Sequence, residues 1–185
     1  QIKIRMQTLK LPVLFLGMMV LPALSLFSVA QSSAGAKTAV HWMTLEEAGK
    51  RLQNEKRPVI IDLYTDWCGW CKVMDKRTYT HEKLGEYLDR YFYAVKINAE
   101  AKPPLAWGGK EYTFNERYRA HNFALFLTRG NLSYPTTVII PADGSPPQAI
   151  PGYLKPADFE LVARYFAEDG KTPFMEYRKN FKPSW

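Results

Sequence analysis

Apolar and polar positions divide the chain into stretches of two different periods. Leu45, Ala48 and Leu52 recur at helical spacing behind Thr44-Leu45-Glu46-Glu47. That start reads as a capping box, with Thr44 as N-cap and Glu47 reaching back. The helix runs to about Asn54, and Arg57-Pro58 ends the segment. Val59-Ile60-Ile61-Asp62-Leu63-Tyr64 is a short apolar run between turn signals and predicts a buried strand. A second helix is expected from Trp67 or Cys68, carrying Val73 and Met74 inward. A third is expected over residues 81–91, with Leu84, Leu88 and Tyr91 on one side. Residues 92–99 predict a second buried strand. Strand, helix, strand in this order implies a parallel pair with a crossover.

The pattern changes after residue 100. Pro103-Pro104 breaks the chain, and Trp107-Gly108-Gly109-Lys110 suits a hairpin turn. Asn115 is placed to cap a helix to about Thr128, with Tyr118, Asn122, Leu125 and Phe126 near one face. Thr136–Ile140, an Asp143-Gly144 turn and residues 148–153 read as an antiparallel hairpin. Pro156 in a first helical turn opens a helix over 157–168, where Phe159, Val162, Ala163 and Phe166 share a face. Asp169-Gly170 ends it. Residues 172–181 predict one more helix, starting with Pro173.

The first 34 residues follow neither period. Lys3, Arg5 and Lys10 precede an apolar run over residues 11–30 whose only polar residues are Ser25 and Ser28. Small residues follow, Ser28-Val29-Ala30 and Ser32-Ser33-Ala34. A basic start, an apolar middle and a small-residue exit describe a secretory signal peptide, with Ala30 or Ala34 the last residue removed. The competing reading is a retained membrane anchor, since about 20 apolar residues are just enough to span. Pro12 and Pro22 weaken a regular helix there, and no cysteine follows to accept a lipid. Either way the domain over 35–185 is expected outside the cytoplasm, periplasmic or secreted, where disulfides persist. It touches a membrane only if the N-terminal segment is kept.

This division changes the meaning of the charge. The 185 residues carry a formal +7. Residues 1–30 contribute +3 and the remaining 155, with 22 basic and 18 acidic side chains, only +4. The bases are interleaved with acids, which disfavours a nucleic acid partner. With 46% hydrophobic residues, the remainder is large enough for one globular domain with its own core. Only two cysteines are present, Cys68 and Cys71. They are too few for a disulfide scaffold or a four-cysteine zinc site.

Both stand in Trp67-Cys68-Gly69-Trp70-Cys71-Lys72, directly after the first strand. A purely structural disulfide fits poorly, because stabilisation grows with loop length and this loop is nearly the shortest. Zinc would need two more ligands, and His41, His81 and His121 lie on separate segments. Haem attachment would need histidine where Lys72 stands. A redox dithiol remains. With Cys68 at a helix start, free backbone N–H groups and the helix dipole stabilise its thiolate. Cys68 is then the exposed nucleophile, and Cys71, one turn on, the shielded resolving thiol.

At this point the chain resembles the thioredoxin superfamily over roughly residues 40–168. The stretch from Ile61 through Lys72 looks like that family's active-site strand and helix start. Asp62 stands six residues before Cys68, Lys96-Ile97-Asn98 resembles the next strand, Tyr134-Pro135-Thr136 the cis-proline loop, and Gly152 the late-strand glycine. Leu63 to Tyr79 is most similar to secreted thioredoxin-like proteins and to the C-terminal domain of membrane thiol:disulfide interchange proteins. The sequence departs from cytosolic thioredoxin in Trp70 between the cysteines, in Tyr134 before the proline, and in about twenty extra residues between Asn98 and Pro135.

The resemblance implies an α/β thioredoxin fold. A central mixed sheet of about four to five strands is flanked by helices, with an insertion at about 100–122 and an extra C-terminal helix. It implies that Asp62, buried beside Cys71, takes that thiol's proton through water, and that Lys96 tunes Asp62. Trp67, Gly69, Trp70, Tyr134 and a cis Pro135 are expected to form the substrate surface, with Trp67 better suited than Trp70 to a core role. Tyr112, Phe114, Tyr118 and Phe123 either shape a groove or pack the insertion. The expected function is thiol:disulfide exchange on protein disulfides or dithiols, leaning to reductase or interchange activity. A separate redox partner recharges the pair, and no metal or other cofactor is needed. Two alternatives stand beside it: a client-binding or chaperone module with little turnover, and a Cu(I)-handling thiol protein.

Overall fold

A computed structural model describes residues 39–185. The signal-peptide reading of residues 1–34 lies outside the described residues.

A parallel strand pair, one member central in the sheet and one at its edge, organises the domain. β1 (Val59–Tyr64) and β2 (Tyr93–Asn98) pair in parallel, joined through α2 (Gly69–Arg77) and α3 (Glu82–Tyr91). Strands β3 to β6 lie in the insertion. β7 (Thr136–Ile140) runs antiparallel to β1, and β8 (Gln148–Pro151) antiparallel to β7, giving the order β2-β1-β7-β8. The sheet is mixed and has four strands, with helices on both faces, which explains the continuous burial along β1 and β7.

Side-chain alternation splits the core in two. Val59, Ile61 and Leu63 point to one face, with Val95, Val138, α1 (Leu45–Leu52) and α4 (Asn122–Thr128). Ile60 points to the other, with Ala94, Ile139, Met74 of α2, Leu84 and Leu88 of α3, and Phe159 and Val162 of α5 (Pro156–Arg164). By the same parity Asp62 points toward α2. Met74 is buried as expected, whereas Val73 is only partly covered.

Local chemistry sets most boundaries. Thr44 caps α1 by accepting the Glu47 N–H at 3.1 Å. The second half of the expected capping box is absent, because the Glu47 carboxylate pairs with Arg51 one turn on. Gly108 and Gly109 both have positive φ. They turn β3 (Leu105–Trp107) into β4 (Lys110–Tyr112) in the manner a two-residue hairpin requires.

The helix expected from Asn115 is a correction. Residues 114–121 form a second small hairpin, β5 (Phe114–Asn115) with β6 (Ala120–His121), and α4 begins only at Asn122. Asn115 Oδ1 accepts the backbone N–H groups of Arg117 and Tyr118. It therefore closes a turn, a common alternative use of this side chain. The cap of α4 is His121, fully buried. Its Nδ1 accepts the Phe123 N–H at 3.1 Å, so Nε2 carries the hydrogen and faces the Pro103 carbonyl at 3.2 Å.

Pro156 occupies the first turn of α5 as expected, but the α-helix stops at Arg164. The chain continues as one π-turn over Tyr165–Asp169, ended by Gly170. The extra helix is α6 (Phe174–Asn180). Beyond it the tail returns to α5. Glu160, fully buried, accepts the backbone N–H groups of Ser184 and Trp185, the Ser184 hydroxyl, and Arg164 Nε at 2.9 Å. Trp185 stacks on His81. Among the described residues no helix is long and apolar enough to cross a membrane.

Glu160 yields a pH-dependent prediction. Burial pushes its carboxyl up, but the bonds from Ser184, Arg164 and Trp185 outweigh this and hold it below the ordinary value. A depressed acid stabilises the fold above its unfolded value and loses that contribution as pH falls through its folded one. Glu160→Gln should cost about 2 kcal/mol in urea unfolding at pH 7, the scale of hydrogen bonds to a charged group. The difference should shrink toward zero well below pH 4.5.

Candidate active site

β1 ends against the first turn of α2, and this junction builds the site. Cys68 is the N-cap of α2, and its Sγ accepts the Cys71 N–H at 3.0 Å. The two sulfurs are joined in a disulfide, with Cα atoms 5.3 Å apart. α2 has no acidic residue in its first turn. After reduction, the same N–H groups and the positive end of the helix dipole would favour thiolate at position 68.

Two expectations need correction. Cys68 was expected to be exposed, yet it is 3% exposed, as buried as Cys71 at 2%. Its sulfur folds back over the helix end and is tied to Cys71, which removes it from solvent in the disulfide form. Trp67, expected to suit the core better than Trp70, is 66% exposed, and Trp70 is 62% exposed. Trp67 is held from outside: its indole N–H donates to Glu100 at 3.0 Å, and its ring meets Tyr134 edge-on at 5.9 Å. Trp70 stacks on Tyr153 at 5.7 Å.

The loop before β7 completes the surface. The Tyr134–Pro135 peptide is cis, and the Pro135 carbonyl accepts the Gly152 N–H at 2.8 Å. The dithiol is thus flanked by two aromatic pairs, Trp67 with Tyr134 and Trp70 with Tyr153. The insertion aromatics divide. Tyr112 and Phe123 pack in the core, Phe114 is partly covered, and Tyr118 is exposed.

Behind the disulfide the register aligns a polar row. Asp62 of β1 is opposite Lys96 of β2 and Thr137 of β7. Asp62 is 2% exposed, and Lys96 Nζ lies 3.1 Å from its Oδ2. Lys96 also pairs closely with Asp75 of α2 and sits over the Tyr64 ring. Burial pushes the Asp62 carboxyl up, and Lys96 offsets this only in part. Burial alone would lower the Lys96 ammonium, but Asp62 and Asp75 together raise it. Lys96 is thus a direct ionic partner of Asp62.

Sequence reasoning missed Asp75, Glu100 and Tyr153. Asp75 had a usable signal, since it lies four residues after Cys71 and so on the same helix face. Glu100 and Tyr153 had none, because both reach the site through tertiary contacts. Among the described residues no cluster of His, Cys, Asp and Glu is suited to a metal.

The buried acid yields a second prediction. An acid with a raised folded value binds its proton more tightly in the native state, so stability falls as pH rises through the window between the two values. Asp62→Asn should therefore stabilise the oxidised protein at pH 7 by about 1–3 kcal/mol, the range for a poorly compensated buried polar group. The gain should vanish below the ordinary Asp value of 3.8. Thermal unfolding at pH 7 and pH 3 measures it.

Residues 45–167 match the Thioredoxin-like domain family. The chain is 28% identical over 110 residues to thioredoxin of Borreliella burgdorferi, covering 60% of this chain and 74% of that protein. It is 28% identical over 60 residues to human Spermatogenesis-associated protein 20, covering 32% of this chain and only 8% of the relative's length. The solved structure of the DsbH oxidoreductase superposes with a TM-score of 0.51 at 16% identity, over 76% of this chain and 93% of that one. With its C-x-x-C disulfide at the head of α2 in this fold, the chain belongs to the thioredoxin-like domain family.

Proposed function

We propose that the protein is an exported oxidoreductase that reduces or interchanges disulfides in other proteins. The observation that carries the chemistry is Cys68 as the cap of α2, bonded to Cys71 in front of a buried carboxylate. Export rests on the basic, apolar, small-residue order of residues 1–34.

In the reductive direction the Cys68 thiolate attacks a substrate disulfide, forms a mixed disulfide and releases the first substrate thiolate. Cys71 passes its proton to Asp62. The resulting thiolate attacks Cys68 Sγ, closing the intramolecular disulfide and releasing the second substrate sulfur. A separate dithiol partner then returns two electrons to the pair. Exposed Trp67 and Trp70 supply apolar contact beside the sulfur, while Gly69 leaves the turn between them uncrowded. The backbone at Tyr134-Pro135 suits pairing with an extended substrate strand.

Three measurements test this reading. Cys68→Ser should abolish insulin disulfide reduction, and Cys71→Ser should accumulate mixed disulfides; the reverse pattern would exchange the two roles. Equilibration with glutathione should place the pair below about −250 mV, and a value near −120 mV would make the protein an oxidant. Expression of the full chain should yield a mature protein outside the cytoplasm beginning after Ala30 or Ala34. Retention inside the cell would sink the export reading.

A further inference from the structure

Asp62 is surrounded by more polar chemistry than the exchange mechanism uses. Its two carboxylate oxygens, Tyr79 Oη and Thr137 Oγ1 are all buried, and none makes a hydrogen bond of normal geometry among the described residues. Such groups are rare in native proteins and costly when left alone.

Topology brings them together from three elements. Thr137 is directly opposite Asp62 across β1 and β7, on the same sheet face. Tyr79 follows α2 and packs into that face, edge-on to Trp42 at 4.8 Å and to Phe159 at 5.9 Å. Lys96, 3.1 Å from Asp62, is 5.5 Å from the centre of the Tyr79 ring. The Tyr79 hydroxyl and the Asp62 carboxyl therefore belong to one buried polar cluster with Lys96 and Thr137. Each raises or lowers the other's proton affinity, and Thr137 acts on Tyr79 in turn.

Donor and acceptor capacity fixes the direction of the contacts. A carboxylate only accepts, and a phenol at neutral pH has one hydrogen to donate. Burial and Asp62 hold the Tyr79 phenol well above its ordinary value, so it stays protonated. Thr137 has a hydroxyl hydrogen to give to the Tyr79 oxygen. Any chain of hydrogen bonds among the three must therefore run from Thr137 to Tyr79 to Asp62.

We propose that Tyr79 is a positioning residue for the exchange reaction: oriented by Thr137, its hydroxyl donates to the Asp62 carboxylate and limits how tightly that group holds the proton taken from Cys71. This rests on the function proposed above and adds a residue to it. Lys96 stabilises the same charge from β2, but it is shared with Asp75 and so is not given wholly to Asp62. Tyr64, on β1 two residues along the same face, lies under Lys96 and completes the charged and titratable neighbours. With the hydroxyl present, Asp62 receives the proton from Cys71 and still releases it before the next cycle. Without it, Asp62 stays protonated to higher pH and cannot serve as the acceptor over that range.

The test is a ¹³C titration of the Asp62 carboxyl in the oxidised protein, with Asp62→Asn identifying the resonance. Tyr79→Phe keeps the ring packing and removes only the hydroxyl. Its Asp62 midpoint should move up by roughly one pH unit, the scale of a lost hydrogen bond to a charged group. Thr137→Val should move it the same way by less. In single-turnover resolution of a mixed disulfide, the acid limb of the Tyr79→Phe rate profile should shift up by the same amount. A purely structural role would change unfolding and leave the titration alone. Superimposable carboxyl titrations in the two tyrosine states would overturn the proposal, and Thr137→Val decides it should Tyr79→Phe not fold. The titration needs no turnover. A wild-type chain inactive on insulin would therefore defeat the function reading, while the Tyr79–Asp62 contact would still be measured.

Discussion

A carboxyl group buried in the central strand is the constraint around which the site is arranged. Burying an ionised group without full compensation works against folding, and Asp62 sits in β1 between two partner strands, covered by α2. Its neighbours follow from the parity and register of the sheet. Because Asp62 shares its face with Ile60, the residues beside it in the same row are Lys96 and Thr137. α2 must then cross that face, and its first turn brings Cys68 and Cys71 to the strand end while a later turn brings Asp75 to Lys96. One misplaced register step would turn Asp62 toward α1 and α4 and separate it from the dithiol.

The two faces of the sheet consequently do different work. The face toward α1, α4 and the insertion is nearly all apolar, and the added hairpins extend it with Tyr112 and Phe123. The face toward α2, α3 and α5 surrounds the polar row with hydrophobic packing. Both faces carry a hydrophobic core, but only one carries the polar row, so the residues added between β2 and β7 pack on the face away from Asp62. The buried Glu160, which anchors the tail, shows how a second acid on the reactive face is handled differently. It has enough donors to keep its charge comfortably, whereas Asp62 does not.

Much of this was legible in the chain itself. The largely apolar runs of β1, β2 and β7 announce strands buried on both faces. The paired glycines at 108–109 announce their hairpin, and Cys68 and Cys71 announce the chemistry. What escaped depends on which of several possible partners a side chain takes. Asn115 looks the same whether it caps a helix or closes a turn, and only the bonds it makes distinguish the two. Trp67 was expected on the substrate surface but nearer the core than Trp70, whereas contacts with Glu100 and Tyr134 hold it as exposed as Trp70. Cys68 is buried in the disulfide form, although its place at a helix start suggested exposure.

The capping role of Cys68 separates what the fold requires from what the reaction requires. A helix start needs only a side chain that accepts a backbone N–H, and serine, threonine, asparagine or aspartate does this well. Cysteine at position 68 is therefore not demanded by the architecture. A lineage could lose the sulfur there and keep a well-formed α2, an intact sheet and the same aromatic rim. What remained would be a binding protein with the shape of an enzyme, reached in a single substitution.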